Sequence, residues 1–312
     1  MPLPDQIVAA KPGDQIQHMP QDDFSIAFHI GAHKTATSHL QRSLLMASDD
    51  LINAGVRYYG PEHFRLPGRK ISALFGMRSR AGGGRSKRSP QDQLGLMRKG
   101  ASRLVFSEEN FIGTLAHPQR SDIEFGYPRA DMKIAQLSQA LGRPLDLFLS
   151  LRKPTALINS VYSQLLRGNK VMPFAEYKAM VPMARGDWAD LVARLRATSG
   201  VGQLVVWAYE DYNDVFEDIC VAMVGQKVSP IERNVNPRLS AQAVAQTLAR
   251  YDAGERGDIA KDAGNAFPVE QGYDRFDGFS ESEHDFTDMT YRAQIAAIAD
   301  MAGVTLLKPR GD

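Results

Sequence analysis

The sequence predicts an α/β protein with a central parallel sheet and helices on both of its faces. Three observations point there. Short apolar or β-branched runs alternate with stretches of helical spacing along the first two-thirds of the chain, the alternation that builds covered parallel sheets. Two of these strand-to-helix junctions carry anion-binding side chains, and open α/β sheets bind ligands at that edge. With 312 residues and 43% hydrophobic content, the chain can bury such a core as one domain. No internal repeat and no second domain is visible.

Five strands are expected, over residues 24–30, 55–59, 103–107, 145–151 and 203–209. The first leads through a loop into Leu40, Leu44, Ala47 and Leu51, one face of a helix. The fourth leads into Leu157, Val161 and Leu165, again a single buried stripe. Residues 212–312 are expected to be mainly helical and to pack beside the sheet. Residues 1–22, rich in Pro, Gln and Asp without periodicity, read as a loosely held tail, leaving 23–312 as a single domain.

The net charge of +1 hides an asymmetry. Residues 65–103 hold eleven Lys or Arg and one acid, Asp92. The glycine-rich centre of this stretch predicts a long mobile basic loop. It can be a solvated surface loop or a lid over an anionic donor or acceptor; a nucleic-acid arm ranks below both, because no aromatic interleaving or binding motif accompanies it. Residues 252–289 hold eleven acids and three bases and read as a long loop with little regular structure. Cys220 is the only cysteine, the N-terminus lacks a basic and apolar leader, and no apolar run approaches the ~20 residues that span a bilayer. These features predict a cytoplasmic protein without a membrane span.

The stretch FHIGAHKTATSHLQ, residues 28–41, reads as strand, tight loop and helix. Loop amides and a helix first turn converge on an anion. Lys34 adds a positive charge, and Thr35, Thr37 and Ser38 add hydroxyls. The bland alternative is a helix N-cap rich in Thr and Ser. A Walker A loop is excluded, because only Ala32 and His33 separate Gly31 from Lys34 and no glycine precedes the lysine.

The shorter pattern, GxxKTxTxxLQ, resembles the 5′-phosphosulfate loop of the sulfotransferases that use 3′-phosphoadenosine-5′-phosphosulfate (PAPS). The resemblance places Gly31, Ala32, His33, Lys34, Thr35, Ala36, Thr37 and Ser38 around the donor's 5′ end. The commoner family loop has Gly at Ala36 and Thr at Ser38; the alanine implies an ordinary negative φ there. Downstream, LDLFLSLRKPTALINSVYSQLLRG, residues 145–168, contains R-x-P-x5-S-x-Y-x-Q, which resembles the family's 3′-phosphate site and assigns Arg152 and Ser160 to that phosphate. An arginine fork can bind two phosphate oxygens at once. Taken alone, the same residues read as an Arg at a sheet edge and a Ser on an exposed helix face. Weaker similarity to bacterial members runs through residues 186–212, 233–253 and 291–307, the last resembling their closing helix.

The resemblance implies a P-loop-kinase-like, three-layer α/β/α fold with a helical C-terminal part, and sulfuryl transfer from PAPS to a hydroxyl or amine without a metal. Lys34 would stabilise charge on the leaving phosphate. Three residues are candidates for the base: Glu62 and His63, past the second strand, and Glu109, past the third in LVFSEENFIG. The adjacency of Glu108 and Glu109 could raise one carboxyl's pKa; an ion pair that organises the loop is the alternative role for Glu109. His33 could contact substrate or face solvent. His29, in a strand, reads as a satisfied core histidine, and Tyr127, Trp188 and Trp207 as core. The acceptor is open among glycan, lipid, small metabolite and peptide, and so is the oligomeric state. Two other functions remain: a P-loop nucleotide kinase, and a non-catalytic protein that binds anions or glycans on the same fold.

Overall fold

The computed structural model describes residues 24–77, 88–113, 126–181, 186–232 and 238–311. In chain order its elements are β1 (Ser25–His29), α1 (Thr37–Met46), α2 (Ser48–Asn53), β2 (Val56–Tyr59), α3 (Pro61–Phe64), α4 (Ile71–Leu74), α5 (Pro90–Arg98) and β3 (Arg103–Ser107). There follow α6 (Ala130–Leu141), β4 (Leu145–Leu151), α7 (Pro154–Arg167), α8 (Phe174–Met180), α9 (Trp188–Ala197) and β5 (Val201–Ala208). The chain closes with α10 (Tyr212–Val224), α11 (Ala241–Asp252), α12 (Ile259–Ala266), α13 (Glu281–Ala299) and β6 (Val304–Leu307).

The strands form one parallel sheet in the order β2-β3-β1-β4-β5-β6. Alternation along each strand sends side chains to two cores. Ile26, Phe28, Leu104, Phe106, Leu147 and Leu149 meet α6, α7 and α9 on one face. Ala27, Val105, Phe148, Val205 and Trp207 meet α1, α2 and α10 on the other. This is the expected three-layer α/β/α arrangement, and the five expected strands are present. β1 and β4 are neighbours, yet the helices that follow them, α1 and α7, lie on opposite faces. The connections therefore diverge and leave a crevice at the carboxyl end of the two strands, where such sheets bind ligands.

Three sequence expectations are corrected. The closing helix does not reach residue 307. α13 ends at Ala299, Gly303 turns the chain at φ 77, and Val304–Leu307 pairs with β5 as a sixth strand; the β-branched and leucine side chains of VTLL suit a strand. The basic stretch is not a loop throughout, because it contains α4 and α5. Ser89 caps α5 by accepting from Asp92 N, Pro90 stands at the first position, and Leu94 and Met97 are buried. The acidic stretch also holds regular structure, α12 and the first half of α13, whose start is fixed by a capping box between Ser280 and Glu283. The proposed tail, residues 1–22, and the centre of the basic stretch, residues 78–87, lie outside the described residues, as do residues 233–237 of the segment that precedes α11. No helix is long and apolar enough to cross a membrane among the described residues.

Candidate functional site

The loop after β1 stays fastened to β4 before it turns. Ile30 N donates to Phe148 O at 3.0 Å and Ala32 N to Ser150 O at 3.3 Å. Gly31 has φ 39, and a Cβ there would lie 2.7 Å from Thr37 Cγ2, so only glycine fits. Lys34 and Ala36 then adopt left-handed conformations, φ 63 and φ 61. Left-handed residues in this alternation form backbone nests whose amides bind anions. The ordinary φ expected for Ala36 is thus wrong: the chain must reverse at the residue before α1, and glycine's usual place there is taken at a cost of roughly 1–2 kcal/mol. His39 N and Leu40 N both donate to Ala36 O and hold it. The amides of Ala36, Thr37 and Ser38 have no partner among the described residues.

The hydroxyls differ from expectation in one respect. Thr35 is buried and its Oγ1 donates to Ala32 O at 2.6 Å, so its proton braces the loop. Thr37 and Ser38 make no side-chain hydrogen bond among the described residues. The Lys34 ammonium is also without a partner among them. Burial, then the charges of Arg152 and Arg167, holds its pKa below the ordinary lysine range.

Arg152 follows β4 directly and reaches across the crevice, donating from Nη1 to the carbonyl oxygen of Lys34. Its guanidinium lies 4.2 Å from the centre of the Tyr209 ring, and Trp188 Nε1 donates to its carbonyl at 3.0 Å. Pro154 starts α7 one residue after Lys153. Ser160 sits on the second turn of α7, partly exposed, with no hydrogen bond among the described residues. The fold thus fastens the two anion motifs to each other: Arg152 contacts the loop, and Lys34 feels Arg152.

On the other side of the loop, a polar network joins β1, α1 and the end of β3. Gln41 Nε2 donates to Ser107 Oγ at 3.1 Å and to Glu109 Oε2 at 2.9 Å. Ser107 Oγ in turn lies 2.8 Å from His29 Nδ1. His29 is the satisfied core histidine, and burial outweighs the charge of Glu109 to lower its pKa to about 4. Arg65 donates to both Glu108 oxygens, at 3.0 and 2.9 Å, and to Glu109 Oε1 at 2.7 Å. Asn110 Nδ2 donates to Glu108 Oε1 at 2.9 Å, and its Oδ1 lies 3.0 Å from His33 Nε2. Tyr127 OH accepts from His33 N at 3.0 Å and donates to His33 Nδ1 at 2.9 Å. Asn110 Oδ1 can only accept, so His33 carries a proton on Nε2, and burial lowers its pKa and so favours the neutral ring. It neither faces solvent freely nor offers a lone pair.

The three base candidates lie on this β2–β3 side. Burial raises the Glu109 carboxyl, but the bonds from Gln41 and Arg65 outweigh it and leave the pKa below the ordinary range. Like-charge repulsion from Glu108 does not prevail, because Arg65 bridges the pair. His63 is lowered by burial and by Arg69, which lies 3.3 Å from its Nδ1. Glu62 Oε1 accepts from Gly60 N at 2.9 Å. Glu62 Oε2 and Tyr58 OH both crowd Gly60, where a Cβ would meet them at 2.6 and 2.2 Å. Gln41, Arg65, Asn110, Tyr127 and Arg167 were not singled out by the sequence. Gln41 closes the loop motif, Asn110 stands in LVFSEENFIG and Arg167 in the stretch 145–168, so all three were visible there; Arg65 and Tyr127 come from segments without a motif of their own.

No family model matches the sequence, and no curated protein matches it. The chain is similar to sulfotransferases of known structure. A sulfotransferase from Alicyclobacillus acidocaldarius is 18% identical with a TM-score of 0.41, over 74% of this chain and 92% of that one. Mouse sulfotransferase SULT7A1, complexed with PAP, is 12% identical with a TM-score of 0.39, over 88% and 87%. Retinol dehydratase, in complex with androsterone and inactive cofactor PAP, is 13% identical with a TM-score of 0.35, over 92% and 83%.

Proposed function

We propose that this chain transfers a sulfuryl group from PAPS to a hydroxyl or amine of an acceptor. One observation carries the reading. Arg152, eight residues before Ser160, is bonded to the carbonyl of Lys34, so the two motifs that resemble the 5′ and 3′ phosphate sites form one anion site across the β1–β4 crevice. When bound, PAPS supplies the activated sulfuryl group and two anionic ends. The amides of residues 36–38 and the Lys34 ammonium suit the 5′ end, and Arg152 with Ser160 suits the 3′-phosphate.

Lys34 stands where charge collects on the leaving oxygen, and a preorganised cation there favours the transition state over the ground state. The network from His29 to Tyr127 holds the loop in its left-handed shape. We assign Glu62 as the acceptor's base. Both Glu109 oxygens are taken by hydrogen bonds from Arg65 and Gln41, which hold its pKa down, and the His63 pKa is lowered by burial and by Arg69, whereas the Glu62 carboxylate accepts one backbone N–H.

Calorimetry with PAP and AMP tests the donor assignment. PAP should bind much better than AMP, and Arg152→Ala should lose roughly 1.5–3 kcal/mol with PAP and almost nothing with AMP. Equal affinity of the unmutated protein for both nucleotides would reject it.

A further inference from the structure

The peptide unit that joins Arg152 to Lys153 lies between β4, which ends at Leu151, and α7, which starts at Pro154. It stands outside both elements, yet both of its polar atoms are bonded to side chains. Trp188 Nε1, from the first residue of α9, donates to the Arg152 carbonyl at 3.0 Å. Glu210 Oε1, from the turn after β5, accepts from Lys153 N at 3.1 Å. The C=O and N–H of a trans peptide point in opposite directions, so one side chain holds the unit from each side.

The two holders are themselves held. Glu210 Oε2 accepts from the Tyr291 hydroxyl of α13 at 2.9 Å. Burial, then the charge of Glu210, raises the Tyr291 pKa, so the phenol keeps its proton and remains a donor. Gln294 Oε1, also on α13, accepts from Trp188 N at 3.3 Å. The Lys153 ammonium pairs with Asp288 of the same helix at 2.6 Å. Pro154 keeps Lys153 out of the helical region, at φ −47 and ψ 124.

A guanidinium on a long stem is aimed by the backbone that launches it and by what its flank touches. The Arg152 guanidinium lies 4.2 Å from the centre of the Tyr209 ring, and Glu210 is the next residue. The same turn therefore meets Arg152 twice, at its charged end through Tyr209 and at its peptide through Glu210.

We propose that Trp188 and Glu210 are positioning residues of the donor site, which fix the Arg152–Lys153 peptide and so aim the Arg152 guanidinium at the 3′-phosphate. Each acts through Arg152 and not on the nucleotide. The proposal rests on the donor reading above and extends it to two residues outside both anion motifs.

The test uses the full chain and calorimetry with PAP and with AMP, which lacks the 3′-phosphate. Trp188→Phe keeps a ring and removes the N–H. Glu210→Ala removes the acceptor, and Glu210→Gln keeps one amide oxygen for Lys153 N. Trp188→Phe and Glu210→Ala should each weaken PAP about fivefold or more and leave AMP within about twofold, with Glu210→Gln restoring part of the loss. In an Arg152→Ala background the same substitutions should change PAP binding by less than about twofold, because the group they aim is gone. The Trp188 ring also lies near Tyr127, with centroids 6.4 Å apart, so an effect passed to the anion loop by that route appears with AMP. A loss that AMP shares equally, or that persists undiminished without Arg152, would sink the proposal, as would full PAP affinity in the single variants. Thermal denaturation shows whether Trp188→Phe folds; Glu210 is exposed, and its variants decide the matter if it does not. Equal affinity of the unmutated protein for PAP and AMP would overturn the donor reading, and this proposal with it, before any variant is measured.

Discussion

Arg65 Nη2 lies 2.7 Å from Glu109 Oε1 and 2.9 Å from Glu108 Oε1. One guanidinium from the segment after α3 thus fastens two neighbouring carboxylates at the end of β3. Both acids are nearly buried, while the arginine side chain is 47% exposed. Removing it leaves two buried like charges held by Gln41, by Asn110 and by a backbone N–H at Glu109, with no cation between them in hydrogen-bond contact among the described residues.

Arg65→Ala is therefore expected to cost about 1–2 kcal/mol near neutral pH, less than a fully buried pair because water screens the arginine. The pH dependence has a definite sign. The folded pKa of Glu109 is depressed, so its stabilisation is present above the unfolded carboxylate pKa and fades as pH falls through the folded value. In Arg65→Ala the burial remains and a donor is gone, so that pKa rises and the loss sets in at higher pH. Urea unfolding across the acid range checks this; an unchanged acid limb would show that Glu109 does not depend on Arg65.

Ala36 offers a change in the opposite direction. Its φ of 61 is strained for alanine and free for glycine. Ala36→Gly should relieve roughly 1–2 kcal/mol of strain, and the freer unfolded chain takes back about 0.4–1 kcal/mol. A small net gain in thermal stability is expected, with nucleotide affinity unchanged or improved. A drop in the unfolding temperature would show that Ala36 is not held left-handed.

How much of this was legible depended on whether a signal was local. β1, β4 and their loops are short-range patterns, and the apolar runs plus Gly31, Lys34, Arg152 and Ser160 stood out together. β6 did not, because four residues after a long helix carry little period of their own and become a strand only by pairing with β5. α5 was hidden by the charge of its surroundings, though Ser89-Pro90 marks its start. The Arg65 clamp and the Tyr127 contact could not be read at all. Arg65 and Tyr127 stand 44 and 94 residues from their partners Glu109 and His33, and nothing but the fold brings them together. Tyr127 reads as core in the sequence, and it is buried, but its hydroxyl also bonds His33.

Tyr127→Phe tests that hydroxyl. The phenol oxygen accepts from His33 N and its proton serves His33 Nδ1. Phenylalanine keeps the ring against His33 and leaves two half-buried groups of the loop unpaired, at a cost of about 1–3 kcal/mol. Because the loss falls within the anion loop, PAP affinity should drop as well. A variant that is less stable yet binds PAP normally would confine Tyr127 to packing.

Lys34 is the sharpest test of mechanism. If its ammonium meets charge on the leaving phosphate, Lys34→Ala should lower kcat by a factor on the order of 10² or more. PAP affinity should fall less, since the amides of residues 36–38 still hold the 5′ end. Lys34→Arg should rescue poorly, because a longer planar fork replaces a compact ammonium beside two guanidinium groups. The free protein holds the Lys34 pKa down through burial, Arg152 and Arg167. An anion placed among these cations raises it. PAP binding should then take up protons as pH climbs into the alkaline range, seen as a buffer-dependent heat in calorimetry, and Lys34→Ala should abolish that uptake. Loss of affinity with kcat intact, or proton uptake that survives the substitution, would place Lys34 among the binding residues and move the transition-state role to the loop amides.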